Sequence, residues 1–335
     1  MNKKTKLLAP LTLAVAGVLT LSACATPAPS DSAESITIYS GRSEELIEDL
    51  LTTFTEETGI EVEVRYGDSA ELAAQILEEG DNIRADVYFG QDAGALGALA
   101  NEGVTKTLPT DITDLVATEY KSVNGQWVGV SGRGRVFVYD PAKVSQIPTS
   151  YKDLMGPSWK GRIGIAPTNA SFQAFITAIR VLEGEQAAID FLNAMKENGV
   201  LFEKNSIILQ AVQDGVVDAG LINHYYWWEL AAEIGEENMK PEIAWFKDGD
   251  TGNLINVAGV AVLSDNPSAM VFAKWLLGET AQNYFVERTR EYSLTGIPEV
   301  AGLKPLKDIK APAIDLSDLD SLAETLELIR KAGLL

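Results

Sequence analysis

Ser35-Ile36-Thr37-Ile38-Tyr39-Ser40, followed by Gly41-Arg42-Ser43, decides the reading of the fold. Apolar and polar residues alternate over residues 35–40, the period of a half-buried strand. The period then changes: Ile47, Leu50, Leu51 and Phe54 recur at i, i+3, i+4 and i+7, one stripe of a helix. Residues 60–66 alternate again, residues 69–79 carry Leu72, Ile76 and Leu77 at helical spacing, and residues 85–89 form a short apolar run. Strand, helix, strand, helix, strand predicts an α/β sheet that is largely parallel. The pattern restarts downstream. Apolar strands are expected at 127–132, 135–139, 163–166, 219–222 and 257–263, and helices at 172–183, 187–196, 206–214, 225–234, 267–277 and 319–332. Two α/β halves predict two lobes, with the chain passing between them more than once.

In open parallel sheets, ligands collect where strands end and helices begin. Five such corners share a composition: Ser40-Gly41-Arg42-Ser43, Gly67-Asp68-Ser69, Thr168-Asn169-Ala170-Ser171, Lys204-Asn205-Ser206 and Asn223-His224-Tyr225-Tyr226. Small residues let the backbone approach a ligand. Ser and Asn cap the helix, and its free N–H groups favour an anion. Any one corner also reads simply as a helix cap.

The last corner adds two adjacent phenols. A neutral phenol, with a reference pKa near 10, is a poor ligand. A hard trivalent cation stabilises the phenolate and changes that. The same stretch, Leu221 to Trp228, also reads as a buried aromatic cluster. On a helix starting at Tyr225 the apolar stripe is Trp227, Leu230, Ala231 and Ile234. Tyr225 lies roughly 160° and Tyr226 roughly 100° from Trp227, so both point off that stripe, in the first turn. The positive helix end there also favours phenolate.

The N-terminus has Lys3, Lys4 and Lys6, then an apolar run over residues 7–21 that ends in Leu21-Ser22-Ala23-Cys24. This is a secretory signal rather than part of the fold. The small-small-Cys ending resembles the lipobox of bacterial lipoproteins, which implies lipidation of Cys24, the one cysteine of the chain. Residues 25–34 read as a flexible tether. The formal charge is −21 over 335 residues. Removing residues 1–23 removes three lysines and no acid, leaving −24 over 312. Such a surface repels nucleic acid and anionic lipid and attracts cations. Membrane attachment would therefore come from the lipid.

Enzymatic chemistry finds little support. A single histidine, His224, leaves almost no general base of the usual type. There is no nucleophile elbow, Walker loop, zinc-protease helix or cysteine pair. Gly132-Arg133-Gly134-Arg135 reads as a hinge with packing glycines and a carboxylate-paired arginine, in preference to a direct anion contact.

Taken together, the mature chain resembles the ferric-ion-binding proteins of bacterial ABC importers, within the large class of periplasmic-type solute-binding proteins. The resemblance is carried by Ile38-Tyr39-Ser40-Gly41-Arg42, residues 54–60, Ala85-Asp86-Val87-Tyr88-Phe89, residues 131–136, residues 159–164, Lys204-Asn205-Ser206 with residues 209–212, and Asn223-His224-Tyr225-Tyr226-Trp227. It implies a two-lobe α/β fold, each lobe a mixed sheet flanked by helices. Two hinge strands would pass near residues 131–136 and 256–260. The lobes are expected at residues 35–131 with 256–306, and at 132–255 with 307–335. It further implies Fe³⁺ as cargo on Tyr225 and Tyr226. A synergistic carbonate or phosphate would be held by Asn169, Ala170, Ser171, Asn205 and Asn223. The implied partners are an ABC permease and its ATPase. The protein is expected to be a monomer on the extracytoplasmic side of the membrane.

This chain departs from the family at three places. Ser43 stands where many members supply a histidine, Gln91-Asp92 where many supply a glutamate, and Phe172 at or beside a third tyrosine of some subgroups. Gly41, Arg42 and Ser43 are therefore expected to contact the anion, and Gln91 and Asp92 to be the first-lobe contacts. Glu44, Asp68 or Asp92 would be substitute ligands, with nothing in the spacing to select one. His224 is expected to be a structural partner or solvent-facing. The competing reading is a binder of a phosphonate, polyamine or other small organic ion in the same architecture.

Overall fold

The computed structural model describes residues 34–299 and 301–335. The expected signal segment and Cys24 lie outside them, as does all of the tether but Glu34.

The first sheet begins as the alternation predicts. Strand β1 (Ser35–Ser40) pairs in parallel with β2 (Glu61–Tyr66) and β3 (Val87–Gly90), and Ile38 sits opposite Val87. Helix α1 (Glu44–Thr58) buries Ile47, Leu50, Leu51 and Phe54 against the sheet. Each such side chain contributes about 1.5–3 kcal/mol by leaving water. Gly59 ends the helix in the left-handed region at φ 73°, and its N–H donates to the Thr55 carbonyl at 2.8 Å. Helix α2 (Ser69–Glu79) follows β2, and α3 (Ala93–Asn101) follows β3. The short α4 (Thr110–Thr113) follows and buries Ile112 in the first-sheet core.

Strand β4 (Val128–Tyr139) is the pivot. Two strands were expected here, yet the backbone runs on as one, with a register shift between Gly129 and Ser131. Its first half pairs antiparallel with β9 (Ile255–Val262) in the first sheet, ending at Gly134 opposite Ile255. Its second half pairs with β7 (Ala219–Asn223) in the second sheet, starting at Arg135 opposite Asn223. One strand thus belongs to both sheets. The second sheet also contains β5 (Ile163–Ile165) and β6 (Gly199–Leu201), parallel to each other. Around it lie α5 (Ala170–Glu183), α6 (Glu185–Asn198), α7 (Asn205–Gln213) and α8 (Tyr225–Ile234), and β8 (Glu242–Ala244) pairs with the end of β4. After β9, α9 (Pro267–Trp275) and α10 (Glu279–Glu287) return to the first sheet, and β10 (Tyr292–Ser293) joins β4. Helix α11 (Leu322–Ala332) completes the chain. The strand order is β2-β1-β3-β9-β4-β7-β5-β6. Parallel pairs lie towards both edges and antiparallel pairs at the centre, a mixed sheet rather than the largely parallel one that local pattern suggested.

The expected change of lobe at residue 307 does not match the packing. Residues 316–320 lie against α3, and Leu316 and Leu319 are buried with the first-sheet core. The chain joins the second core only with α11, where Leu328 and Ile329 pack among Phe175, Phe191 and Leu192. The physical reason lies in α3. A Cβ on Gly94 would stand 2.6 Å from the Leu319 carbonyl oxygen, and one on Gly97 2.7 Å from that of Ser317. Those two glycines admit the returning backbone directly onto the helix.

Candidate ion-binding cleft

Tyr225 and Tyr226 open α8 just beyond β7, and their ring centroids are 4.3 Å apart with an interplanar angle of 35°. Both are half-buried. Burial pushes the Tyr225 phenol well above its ordinary range, and the neighbouring Tyr226 adds to the rise while Arg133 opposes it. Burial also raises Tyr226, with Glu229 adding to the rise and Arg133 again favouring the phenolate. Without a cation, both phenols are neutral at physiological pH. Among the described residues no three His, Cys, Asp or Glu side chains converge as a metal cluster. A hard cation held here would depend on the phenols.

His224, beside the pair, is fully buried. Its Nδ1 accepts from the Gly134 N–H at 3.0 Å, and its Nε2 lies 2.8 Å from the Arg290 carbonyl. The first bond fixes Nδ1 as acceptor, so Nε2 carries the proton and donates. Both ring nitrogens are occupied, and His224 acts as the structural partner rather than a solvent-facing residue. It ties the second-lobe corner to β4 and to the segment before β10.

A second cluster forms at the start of α5. The Asn169 side chain accepts from the Ser171 N–H at 3.0 Å and from its hydroxyl at 2.5 Å. The Asn205 amide donates to Ser171 Oγ at 3.0 Å and to Asn169 Oδ1 at 3.3 Å. Ala170 stays exposed at the helix end. Arg135 reaches in from β4, with Nη1 donating to Ser171 Oγ at 3.3 Å and Nη2 to the Leu221 carbonyl at 3.2 Å. Its guanidinium lies over Phe172 and Phe175, 5.7 and 5.3 Å from the ring centres. Desolvation alone acts on it and pulls its pKa down to about 9, so it stays charged at neutral pH, with no carboxylate paired to it among the described residues. Asn223 ends β7 opposite Arg135 in register. A buried, uncompensated cation at a helix N-terminus is chemically prepared for an anion.

Across from it lie the first-sheet corners. Gly41, Asp68, Gln91, Asp92, Thr168 and Ala170 line one cavity of about 310 Å³. Gly41 is required by crowding, since a Cβ there would meet Ser69 Oγ at 2.0 Å. Ser69 Oγ in turn accepts from the Gln91 N–H at 3.0 Å. Asp68 caps α2 through the Ala70 N–H at 2.9 Å, and Asp92 caps α3 through the Ala95 N–H at 3.2 Å. Ser43 stands exposed at the start of α1 and makes no capping bond with its hydroxyl.

Arg42 has a different place from the one expected. Its guanidinium is buried and donates to both oxygens of Glu291, at 3.2 and 2.7 Å. Ser131 and Thr289 also donate to that carboxylate, at 3.2 and 2.8 Å. Arg133 Nε is 3.7 Å from it, and Arg133 Nη2 donates to the Gln91 carbonyl. The two arginines of the glycine-arginine motif thus differ: Arg133 is carboxylate-paired, as expected, and Arg135 is not. Glu291 escaped the sequence reading because its partner Arg42 is 249 residues away in the chain. Its one sequence signal is the cost of leaving such a charge beside buried Tyr292 without a partner.

The chain matches the family model described as bacterial extracellular solute-binding protein over residues 49–313. It is 36% identical to a Fe(3+)-binding periplasmic protein from Serratia marcescens, covering 90% of this chain and 91% of that one. The iron-bound structure of HitA from Pseudomonas aeruginosa superposes with a TM-score of 0.84 at 34% identity, covering 90% of this chain and 99% of the other. FutA (IdiA) from Trichodesmium, in complex with iron and citrate, superposes with a TM-score of 0.78 at 27% identity, covering 89% and 99%. These relatives are binding proteins rather than enzymes, and the two-lobe architecture is theirs as well. On the matched length and this identity, the chain belongs to the bacterial extracellular solute-binding protein family.

Proposed function

We propose that this protein captures ferric iron in the cleft between its lobes and delivers it to an ABC permease with its ATPase. The observation that carries this reading is the Tyr225–Tyr226 pair, 4.3 Å between ring centres, at a corner where no three His, Cys, Asp or Glu side chains converge among the described residues. Organic ions need no two adjacent phenols, whereas a hard trivalent cation gains two anionic oxygens from them. Arg133, beside both rings, helps stabilise the phenolates that form.

The second part of the reading is a synergistic carbonate or phosphate on Arg135, Ser171, Asn169, Ala170, Asn205 and Asn223. The unbalanced charge of Arg135 supports it. First-lobe contacts would come from Gly41, Ser43, Gln91 and Asp92, which face that corner or stand at the same strand ends. Arg42 is left out because Glu291 already takes both of its donors. The two lobes meet at β4 and β9, and closure would bring the first-lobe corners onto the loaded second lobe. The −24 charge of the processed chain draws cations towards the cleft. A lipid on Cys24 would keep a monomer at the outer face of the membrane.

The test is loading with ferric citrate. Phenolate-to-iron charge transfer turns such a protein orange to red, and anion analysis of the loaded protein shows carbonate or phosphate. A protein that stays colourless and binds a phosphonate or polyamine instead supports the competing reading.

A further inference from the structure

Strand β4 leaves the first sheet at Gly134, opposite Ile255, and enters the second at Arg135, opposite Asn223. His224 clamps that crossover residue twice. The His224 N–H donates to the Gly134 carbonyl at 2.9 Å, and the Gly134 N–H donates to the ring Nδ1 at 3.0 Å. No bulkier residue fits there, since a Cβ on Gly134 would meet the Trp245 ring at 2.2 Å. The other ring nitrogen, Nε2, carries the proton and donates to the Arg290 carbonyl at 2.8 Å. Arg290 lies between α10 and β10, which belong with the first sheet, whereas His224 stands between β7 and α8 of the second lobe. The bond therefore crosses from lobe to lobe beside the strand that joins them. Arg290 is also the one non-glycine residue with positive φ, 57°, among the described residues. A side chain holds that left-handed conformation only where its surroundings over-determine it. The His224 ring also packs against Tyr292 of β10, with 4.6 Å between centres, and edge-on against Tyr225, with 5.8 Å.

We propose that His224 is a positioning residue of the cleft: a non-covalent tie between the lobes at the hinge, which sets the angle at which the Tyr225–Tyr226 corner faces the first lobe. Glu291, next to Arg290, holds Arg42 in the loop after β1. That loop and the tyrosine corner are thus anchored to adjacent residues of one segment. Loss of the Arg290 bond frees the lobe angle and leaves both phenols on α8. The effect on iron rests on the ferric reading; the effect on the lobe angle stands apart from it.

The test uses two variants that divide the bonds of the ring. In His224→Asn the shorter amide still accepts from Gly134 at the Nδ1 place but falls short of Arg290. In His224→Gln the longer amide still donates to Arg290 at the Nε2 place but gives up Gly134. Each loses one buried hydrogen bond, so a merely structural role gives both the same result. Spin labels at Thr52→Cys in α1 and Gln186→Cys in α6, with Cys24→Ser, read the distance between lobes in the iron-free protein. His224→Asn is expected to widen that distance distribution, and His224→Gln to keep the wild-type width. Ferric iron should leave His224→Asn for excess EDTA roughly tenfold faster or more, with the phenolate charge-transfer band unmoved because both phenols still ligate. Wild-type width and rate in His224→Asn overturn the proposal, as does an equal change in His224→Gln. A wild-type distribution as broad as that of two freely jointed lobes overturns it without any variant. A wild type that takes up no ferric iron overturns the ferric reading, while the iron-free distances still judge the tie.

Discussion

Arg42 and Glu291, 249 residues apart in the chain, meet as a buried bidentate pair with Nη2–Oε2 at 2.7 Å and Nη1–Oε1 at 3.2 Å. The pair ties the loop after β1 to the segment that closes onto β4. Burial alone would raise the Glu291 carboxyl, but the Arg42 charge and hydrogen bonds, with Arg133 and Thr289, hold it below the usual range. Breaking one side of such a pair leaves the other charge buried and unbalanced, at about 3–5 kcal/mol. Glu291→Gln should therefore lower the unfolding free energy by that amount, read as a lower urea midpoint at unchanged slope. Because the folded carboxyl is depressed, this stabilisation is present above the ordinary Glu pKa and lost as pH falls through the folded value. Acid unfolding of wild type below pH 4.5 should be steeper than that of the variant.

His224 gives a separate pH window. Desolvation is the main cause of its lowered pKa, which falls to about 4 against an ordinary 6.5. The folded state keeps the ring neutral, so stability is full above pH 6.5 and falls as the unfolded chain takes up a proton. The loss is complete near pH 4 and amounts to about 3 kcal/mol, at 1.36 kcal/mol per unit. Denaturant titrations from pH 7 to pH 4 should show this slope in wild type. His224→Asn, which cannot ionise, should show a flatter profile over the same window.

The local half of this fold was legible. The period change from Ser35–Ser40 to Ile47, Leu50, Leu51 and Phe54 needed only neighbouring residues. The wheel did less well, since it turns Tyr226 off the core whereas Tyr226 packs half-buried against the cluster of Ile208, Ile222 and Leu230. Long-range pairings were not legible. Nothing near Arg42 announces Glu291. Arg133 and Arg135 look equivalent in Gly132-Arg133-Gly134-Arg135, but β4 changes sheets between them, and only the first comes within reach of a carboxylate. Helix α3 was missed for a different reason. Ala93-Gly94-Ala95-Leu96-Gly97 buries several faces at once, with Ser317–Leu319 on two glycines, so no amphipathic stripe marks it.

Arg135 allows affinity and stability to be separated. A lone buried guanidinium costs free energy in the empty protein, and an apolar side chain of similar length removes that cost. Arg135→Met is expected to be at least as stable as wild type without iron. Its ferric affinity should fall, and should no longer depend on added carbonate or phosphate. Isothermal titration with and without phosphate, beside urea denaturation of the iron-free forms, reads both quantities. A variant that is both less stable and still anion-dependent would show that Arg135 holds the core rather than the anion.

The tyrosine pair makes a prediction about protons as well as affinity. Burial keeps both phenols protonated in the iron-free protein across pH 5–8. Each phenol that ligates Fe³⁺ must release its proton, so binding is linked to pH with a slope equal to the number released. Two ligating phenols give about a hundredfold gain in ferric affinity per pH unit, once the competitor's own titration is subtracted. Tyr225→Phe and Tyr226→Phe should each weaken binding by more than the 10–100-fold typical of residues that only orient a ligand. Each should also reduce the slope to about tenfold per unit, because one phenol still ionises. The two readouts separate the roles: a variant that loses affinity but keeps the full slope has lost a packing partner, whereas one that loses both has lost a ligand. Competition with citrate at pH 6, 7 and 8 measures them together. A wild-type slope near zero would mean that neither phenol ionises on binding, and the cation would then have to sit elsewhere in the cleft.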